Sequence, residues 1–202
     1  AGRGMKKLPP AMPKATTVDT VPEVESSGAL SLFSRPGDGS IATRRVAILV
    51  ADGVDAAAAR GAHAMLAGEG AVPRYVGPTL GAVTGDDGSE IQVESSFEGM
   101  PSVLFDAVVV PGGDAAVKIL GTVGFAPEFL KDQYRHCKPL LALGKGATLM
   151  ENAGVPAKLL SGDDDPGVLV FDAQQLREAM SAFTTALGQH RHFARETDPP
   201  MV

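Results

Sequence analysis

The residues that could do chemistry are few. The one cysteine, Cys137, sits in Tyr134-Arg135-His136-Cys137-Lys138, where basic neighbours could lower its pKa and make it reactive. Its place argues against a catalytic role. It precedes an apolar run that reads as a strand, so it falls at the end of the sheet away from the usual ligand crevice. We read it as a half-buried structural thiol. Asp163-Asp164-Asp165, between Ser161-Gly162 and Pro166-Gly167, offers hard oxygen ligands for a cation. Without the EF-hand spacing it reads as a solvated acidic loop. His190-Arg191-His192 reads as a frayed helix end rather than a metal grip. His63 falls off the apolar stripe of its helix and is expected to be exposed.

Three glycine turns are the stronger candidates. Lys138-Pro139-Leu140-Leu141-Ala142-Leu143-Gly144-Lys145-Gly146 runs from a buried strand into a sharp turn and then a helix to about Ala153. In α/β enzymes such an elbow displays a nucleophile above the carboxyl ends of the strands. The residue expected at its tip is Ala142 or Leu143, and neither can attack. Val110-Pro111-Gly112-Gly113-Asp114 could aim backbone N–H groups at an anion, or be a plain strand–helix turn. Together with Ala51-Asp52-Gly53, these turns make Asp52, Gly53, Gly112, Gly113, Gly144 and Lys145 the expected pocket residues. Lys145 supplies one positive charge there, unless it is only an exposed turn lysine. No Gly-x-Gly-x-x-Gly, Walker or Gly-x-Ser-x-Gly pattern accompanies these turns.

Stepping along the chain, alternating strands and helices are expected to position these turns. Residues 1–43 hold five prolines and a polar run, and read as an extended linker. Leu30, Leu32 and Phe33 form its one apolar patch, either tucked loop residues or a docking segment. From Arg44 a compact domain begins. Strands are expected over Arg45–Val50, Val72–Gly77, Asp106–Val110, Leu140–Leu143 and Val168–Phe171. A helix from Ala56 to Ala67, capped by Asp55, carries a small-residue stripe of Ala58, Gly61, Ala62, Met65 and Leu66. Val83 to Val93 reads as a hairpin turning at Asp87-Gly88. Ser102–Phe105 is expected to be a helical turn, with helices near Ala115–Leu120 and Ala126–His136. Leu176, Ala179, Met180, Phe183 and Leu187 share one face of a closing helix. This order predicts a doubly wound, mostly parallel α/β sheet with helices on both faces.

Composition sets the outer limits. The 202 residues are 44% hydrophobic and 21% charged, with a formal net charge of −6, which gives nucleic-acid binding little electrostatic support. No apolar run of about 18 residues is present, so no membrane span is expected. The first residues lack the apolar core of a signal peptide. One cysteine excludes an internal disulfide framework and fits a reducing, cytoplasmic compartment. Only Tyr75 and Tyr134 could serve as haem tyrosine ligands, and the chain has no room for a second core to enclose a haem.

The strand–turn units resemble the PfpI/ThiJ group of the class I glutamine amidotransferase-like superfamily over roughly residues 44–190. That resemblance implies a flavodoxin-like fold. It implies a reactive cysteine two residues ahead of the elbow glycine, a slot filled here by Ala142, with Gly144 as the glycine. It implies an acidic partner after the first strand, a slot aligned to Ala56. Both slots lack the chemistry. A second resemblance covers the whole chain. Ala29–Gly39, Thr43–Val54, Val83–Gly88 and His136–Leu140, with Met5–Pro10 ahead of them, are similar to the linker and C-terminal domain of large-subunit haem catalases.

This resemblance implies a C-terminal piece of an enzyme that converts hydrogen peroxide to water and oxygen. Haem and peroxide residues would lie outside this chain, in the catalase core of the same polypeptide. The domain would be a non-catalytic accessory within a homotetramer, shaping access to the core and possessing the chaperone-like activity toward unfolded clients ascribed to such domains. No cofactor is expected in the chain itself. Two other readings stand beside it: a free-standing PfpI-type enzyme with glyoxalase, deglycase or peptidase chemistry, and a small-molecule or anion sensor using the three turns.

Overall fold

The computed structural model describes residues 21, 23–24, 27–31, 34 and 37–197. The chain divides into two units, Ala1–Pro36 and Gly37–Val202. In the first, the described residues form short turns. Leu30 N–H donates to Ser27 O and the Ser34 hydroxyl donates to Gly28 O and Ser31 O. Leu30 is exposed, whereas Leu32, Phe33 and the Met5–Pro10 stretch lie outside the described residues.

The second unit is built on one sheet. Its strands are β1 (Arg45–Leu49), β2 (Val72–Gly77), β5 (Ser95–Ser96), β6 (Ala107–Val110), β7 (Leu140–Leu143) and β8 (Val168–Phe171), in the spatial order β5-β2-β1-β6-β7-β8. Every pairing is parallel. Strands β1, β6 and β7 are central and nearly continuous runs of Val, Ile, Leu and Ala, the pattern that burial on both faces demands. All four residues of β7 are fully buried. Pro73 is tolerated near the start of β2, because β5 pairs only with Val76 and Gly77 and leaves the outer edge beside Pro73 without a strand. Farther along that edge, Glu94 takes over: its carboxylate accepts the Tyr75 N–H at 2.9 Å and pairs with Arg74 at 2.6 Å.

Helices α1 (Ala56–Gly68) and α5 (Leu176–Gly188) pack together on one face. On the other face lie α2 (Asp114–Thr122), α3 (Phe125–Arg135) and α4 (Gly146–Asn152). The N-cap of α1 is Asp55, whose Oδ1 accepts the Ala58 N–H at 2.8 Å. The small stripe of α1 does what its size suggests. Ala58, Ala59, Ala62 and Leu66 are buried, and any side chain at Gly61 would strike Leu176 of α5. A short hairpin of β3 (Gly81–Thr84) and β4 (Glu90–Val93) stands apart from the main sheet, turning at Gly88 with φ +81°. Three small elements lacked any periodic signal: β5, a 3-10 turn at Ala173–Gln175, and α6 (Ala194–Thr197). Residues ahead of Arg44 join the folded unit, since Ile41 is buried and Thr43 N–H donates to Gly70 O.

Glycine is indispensable where the turns after β1 and β6 meet. Gly113 has φ +104°, and a methyl group there would overlap Gly53 O and sit 2.8 Å from Asp55 N. Gly113→Ala combines backbone strain with overpacking and is expected to cost at least about 2 kcal/mol. Gly68, the last residue of α1, has nothing within 4 Å of such a methyl. Gly68→Ala should be neutral or stabilise by about 0.5 kcal/mol. Urea unfolding of the two variants checks this contrast.

Candidate functional site

The sheet brings the three expected turns together at the carboxyl ends of β1, β6 and β7. Asp55 N–H donates to Gly112 O at 3.1 Å, and a methyl on Gly112 would lie 3.3 Å from Leu143 O and 3.6 Å from Lys145 N. A methyl on Gly146 would overlap Val110 O. The turns therefore touch backbone to backbone, with glycine hydrogens between them. The hairpin closes over the first turn. Asp52 Oδ1 accepts the Thr84 N–H at 2.8 Å, Gly53 N–H donates to Thr84 O, and Asp86 Oδ1 accepts the Ala56 N–H at 3.1 Å. Asp52, expected to line a pocket, instead fastens the hairpin.

The elbow differs in register from the expectation. Its positive-φ residue is Gly144, at φ +49°, the glycine expected to permit the turn, whereas Ala142 and Leu143, expected at the tip, are still strand. Ala142 is inside β7, paired with Val110 and Val170 and fully buried. Strand alternation explains the difference. The chain holds extended geometry until the last ladder bond, Gly144 N–H to Phe171 O, and only then can turn. A side chain at Gly144 would press on Ala173, 3.3 Å from its methyl. Ala56 is likewise buried as the first residue of α1, where its methyl faces Gly85. Lys145 is exposed. With Lys118, Asp114, Thr148 and Asn152 it lines an open groove of about 430 Å³ between α2 and α4.

The most ordered polar chemistry is at the opposite edge, where the strands begin, and two expectations fail there. Asp165 is 2% exposed rather than solvated. Its carboxylate forms a two-pronged pair with Arg195, Nε to Oδ2 at 2.5 Å and Nη2 to Oδ1 at 3.0 Å. Arg195 Nη1 also donates to Tyr134 O and Lys138 O, and the guanidinium lies 4.3 Å above the Tyr134 ring. Gly167 leaves room for this, since a methyl there would run into Arg195 and His192. His192 is buried rather than frayed. Its main-chain N–H donates to Cys137 O. Its Nε2 lies 3.2 Å from Ala186 O and must carry the proton there, since a carbonyl only accepts. Burial, then the Arg195 charge, lower its pKa. His63 is half-buried, its ring stacked on Tyr75 at 4.9 Å. Cys137 is buried at this edge with φ +55°.

Lys138 carried no sequence signal beyond its place next to Cys137. It is buried, and its ammonium donates to Phe105 O at 2.5 Å, Ser102 O at 3.1 Å and Val103 O at 3.4 Å. It tethers the 3-10 turn Ser102–Leu104 to the start of β7. Burial, reinforced by Arg191, pulls its pKa from 10.5 down to about 8, against the opposing pull of Asp106 and Asp132. Arg195 was equally invisible, because its partner is thirty residues away.

Two measurements probe this edge. Between about pH 8 and 10.5 the unfolded chain keeps a Lys138 proton that the folded chain has released, so this group makes stability rise with pH through that window. The rise should disappear in Lys138→Met, and the Lys138 Cε resonance should titrate near pH 8. Arg195→Met strands the Asp165 charge in the interior and is expected to cost about 3–5 kcal/mol in denaturant unfolding. Pairing it with Asp165→Leu should recover part of that loss.

Comparison with known proteins places the chain. Residues 42–197 match the model of the C-terminal domain found in long catalases. Over 185 residues, 91% of the chain, it is 38% identical to catalase HPII of Pseudomonas putida. It is also 38% identical over 179 residues to catalase HPII of Mycobacterium avium. The chain spans about a quarter of the length of these relatives, 24% and 25%. Among solved structures it resembles a ThiJ/PfpI domain protein of Brachyspira murdochii, with TM-score 0.64 and 15% identity over 72% of this chain and 97% of that one. It also resembles a two-domain protein of Anabaena variabilis containing DJ-1/ThiJ/PfpI-like and ferritin-like domains, with TM-score 0.65 and 18% identity over 72% of this chain and 48% of that one. These likenesses show the flavodoxin-like fold. The chain belongs to the family of C-terminal domains of long catalases.

Proposed function

We propose that this domain is a non-catalytic accessory of a long haem catalase and contributes to the stability of its assembled form. The observation that carries the reading is the state of the elbow. It turns at Gly144, where any side chain would meet Ala173, and beside it the turns after β1, β6 and β7 touch backbone to backbone. A PfpI-type enzyme needs a thiolate two residues ahead of that glycine, where Ala142 stands buried in β7. Cys137 is buried at the other edge of the sheet.

On this reading the conversion of hydrogen peroxide to water and oxygen belongs to the catalase core in the same polypeptide. Haem belongs there too. The two tyrosines do not suit it here: Tyr134 is buried beneath Arg195, and Tyr75 stacks on His63. Among the described residues no cluster of three His, Cys, Asp or Glu side chains is arranged for a metal ion. We place the domain in a homotetramer and in a reducing, cytoplasmic compartment, where a lone buried thiol is unremarkable chemistry. A chaperone-like action on unfolded clients is the further part of the proposal.

Deleting the domain from the long catalase is the direct test. The truncated enzyme should keep its turnover per haem within about twofold and lose activity several-fold faster on heating, since the domain acts on kinetic stability. Equal inactivation rates would remove the stabilising role. Turnover of methylglyoxal by the isolated chain, abolished by Cys137→Ser, would overturn the non-catalytic reading. The chaperone part requires that stoichiometric chain suppress heat aggregation of an unrelated protein; no protection at excess refutes it.

A further inference from the structure

The edge where the strands begin carries a cluster that the stabilising role does not need. Arg44 stands just before β1, Asp106 just before β6 and Lys138 just before β7, while His190 and Arg191 follow α5. Asp106 is at its centre. Its Oδ2 accepts the Arg45 N–H at 2.9 Å. Its Oδ1 lies 3.8 Å from Arg44 Nη1 and 3.5 Å from His190 Nε2, too far for strong hydrogen bonds. Arg191 Nη1 donates to His190 O at 3.1 Å, which holds a second guanidinium against the His190 main chain. The Lys138 ammonium is on Phe105 O, one residue from Asp106.

The charges do not balance. Arg44, Arg191 and Lys138 set three positive charges around Asp106, even with His190 neutral; Asp132, the other carboxylate acting on Lys138, is already paired with Arg135. Exposed arginines could shed such an excess into water. Here Lys138 is buried, Arg191 is half-buried, and the Arg44 and His190 side chains are each only 33% exposed. Uncompensated charge in a half-buried place is costly unless a counter-charge joins it. The crowding is also visible in protonation. Arg191 pushes the His190 pKa down after burial does, and Arg44 pushes both His190 and Arg191 the same way.

We propose that Arg44, Arg191 and His190 form a binding site for a small oxyanion, phosphate or carboxylate, with Asp106 as its inner wall. Guanidinium groups present planar forks that match such anions, and the imidazole adds a ring N–H. The open side is where Arg44 and His190 meet solvent. Asp106 keeps the anion from sitting deeper and fixes the spacing of the two cations it faces.

The test titrates the 202-residue chain with inorganic phosphate and, separately, with acetate, at constant ionic strength held by chloride. Arginine Nε and imidazole nitrogen resonances and the thermal midpoint are followed together. Saturable shifts at Arg44, Arg191 and His190 are expected, with a rise in midpoint that saturates at the same concentration. Arg191→Gln should weaken binding at least about tenfold. His190→Gln should weaken binding several-fold, and the far-UV circular dichroism of both variants in chloride separates lost binding from lost fold. Response to one probe alone assigns phosphate or carboxylate as the ligand chemistry. A midpoint that climbs without saturation, equally in both variants, or resonances that neither probe moves, would overturn the proposal.

Discussion

Three turns meet at the carboxyl ends of β1, β6 and β7 with no side chains between them, and the rest of the domain is arranged around that contact. Backbone can approach backbone this closely only where Cβ is missing, at Gly53, Gly112, Gly113 and Gly146. The approach sets the depth at which α2 and α4 start, and it draws the hairpin of β3 and β4 down through Asp52, Thr84 and Asp86. In doubly wound folds this crevice ordinarily receives the ligand. Here the turns come into backbone contact with one another, beside the open groove that Asp114 and Lys145 line. The same small residues that would let a substrate's phosphate or carbonyl come near let another turn come near instead.

The opposite edge is organised by a different force. There the strands begin among charges, and burial makes each one matter. Arg195 satisfies Asp165 and the carbonyls of Tyr134 at the end of α3 and Lys138 before β7, while Lys138 gathers three more at the 3-10 turn and its cap. Backbone groups left at the end of a sheet must find partners, and long cationic side chains can reach several at once. The two edges thus divide the labour: neutral close packing where a catalytic site would stand, and buried charge where the chain enters and its last helix docks.

Much of this was legible from residue order. Continuous apolar runs located the central strands to within a residue, as at Leu140–Leu143, because a strand covered on both faces admits little else. Asp55 announced its cap, and Asp87-Gly88 its turn. The elbow tip was misplaced by one or two residues, because sequence shows that a turn exists but not where the last ladder bond falls. Asp165, His192 and Arg195 were illegible for a deeper reason. An acidic run and a basic tail each look solvated alone, and their burial depends on a partner far along the chain and on the space left by Gly167. His63 was misjudged similarly, since its partner Tyr75 is on β2.

The pairing of Asp165 with Arg195 also sets an order in time. During synthesis Asp165 is made thirty residues before Arg195, the side chain that pairs with it. At about 5–20 residues per second that interval is roughly 2–6 seconds. Strands β1, β2, β6 and β7 are already available by then. The sheet can assemble from the first-made side, but the loop bearing Asp165 has no reason to leave water until α6 arrives. The last turn of helix is therefore expected to dock late, with the loop that bears Asp165 held loosely until it does.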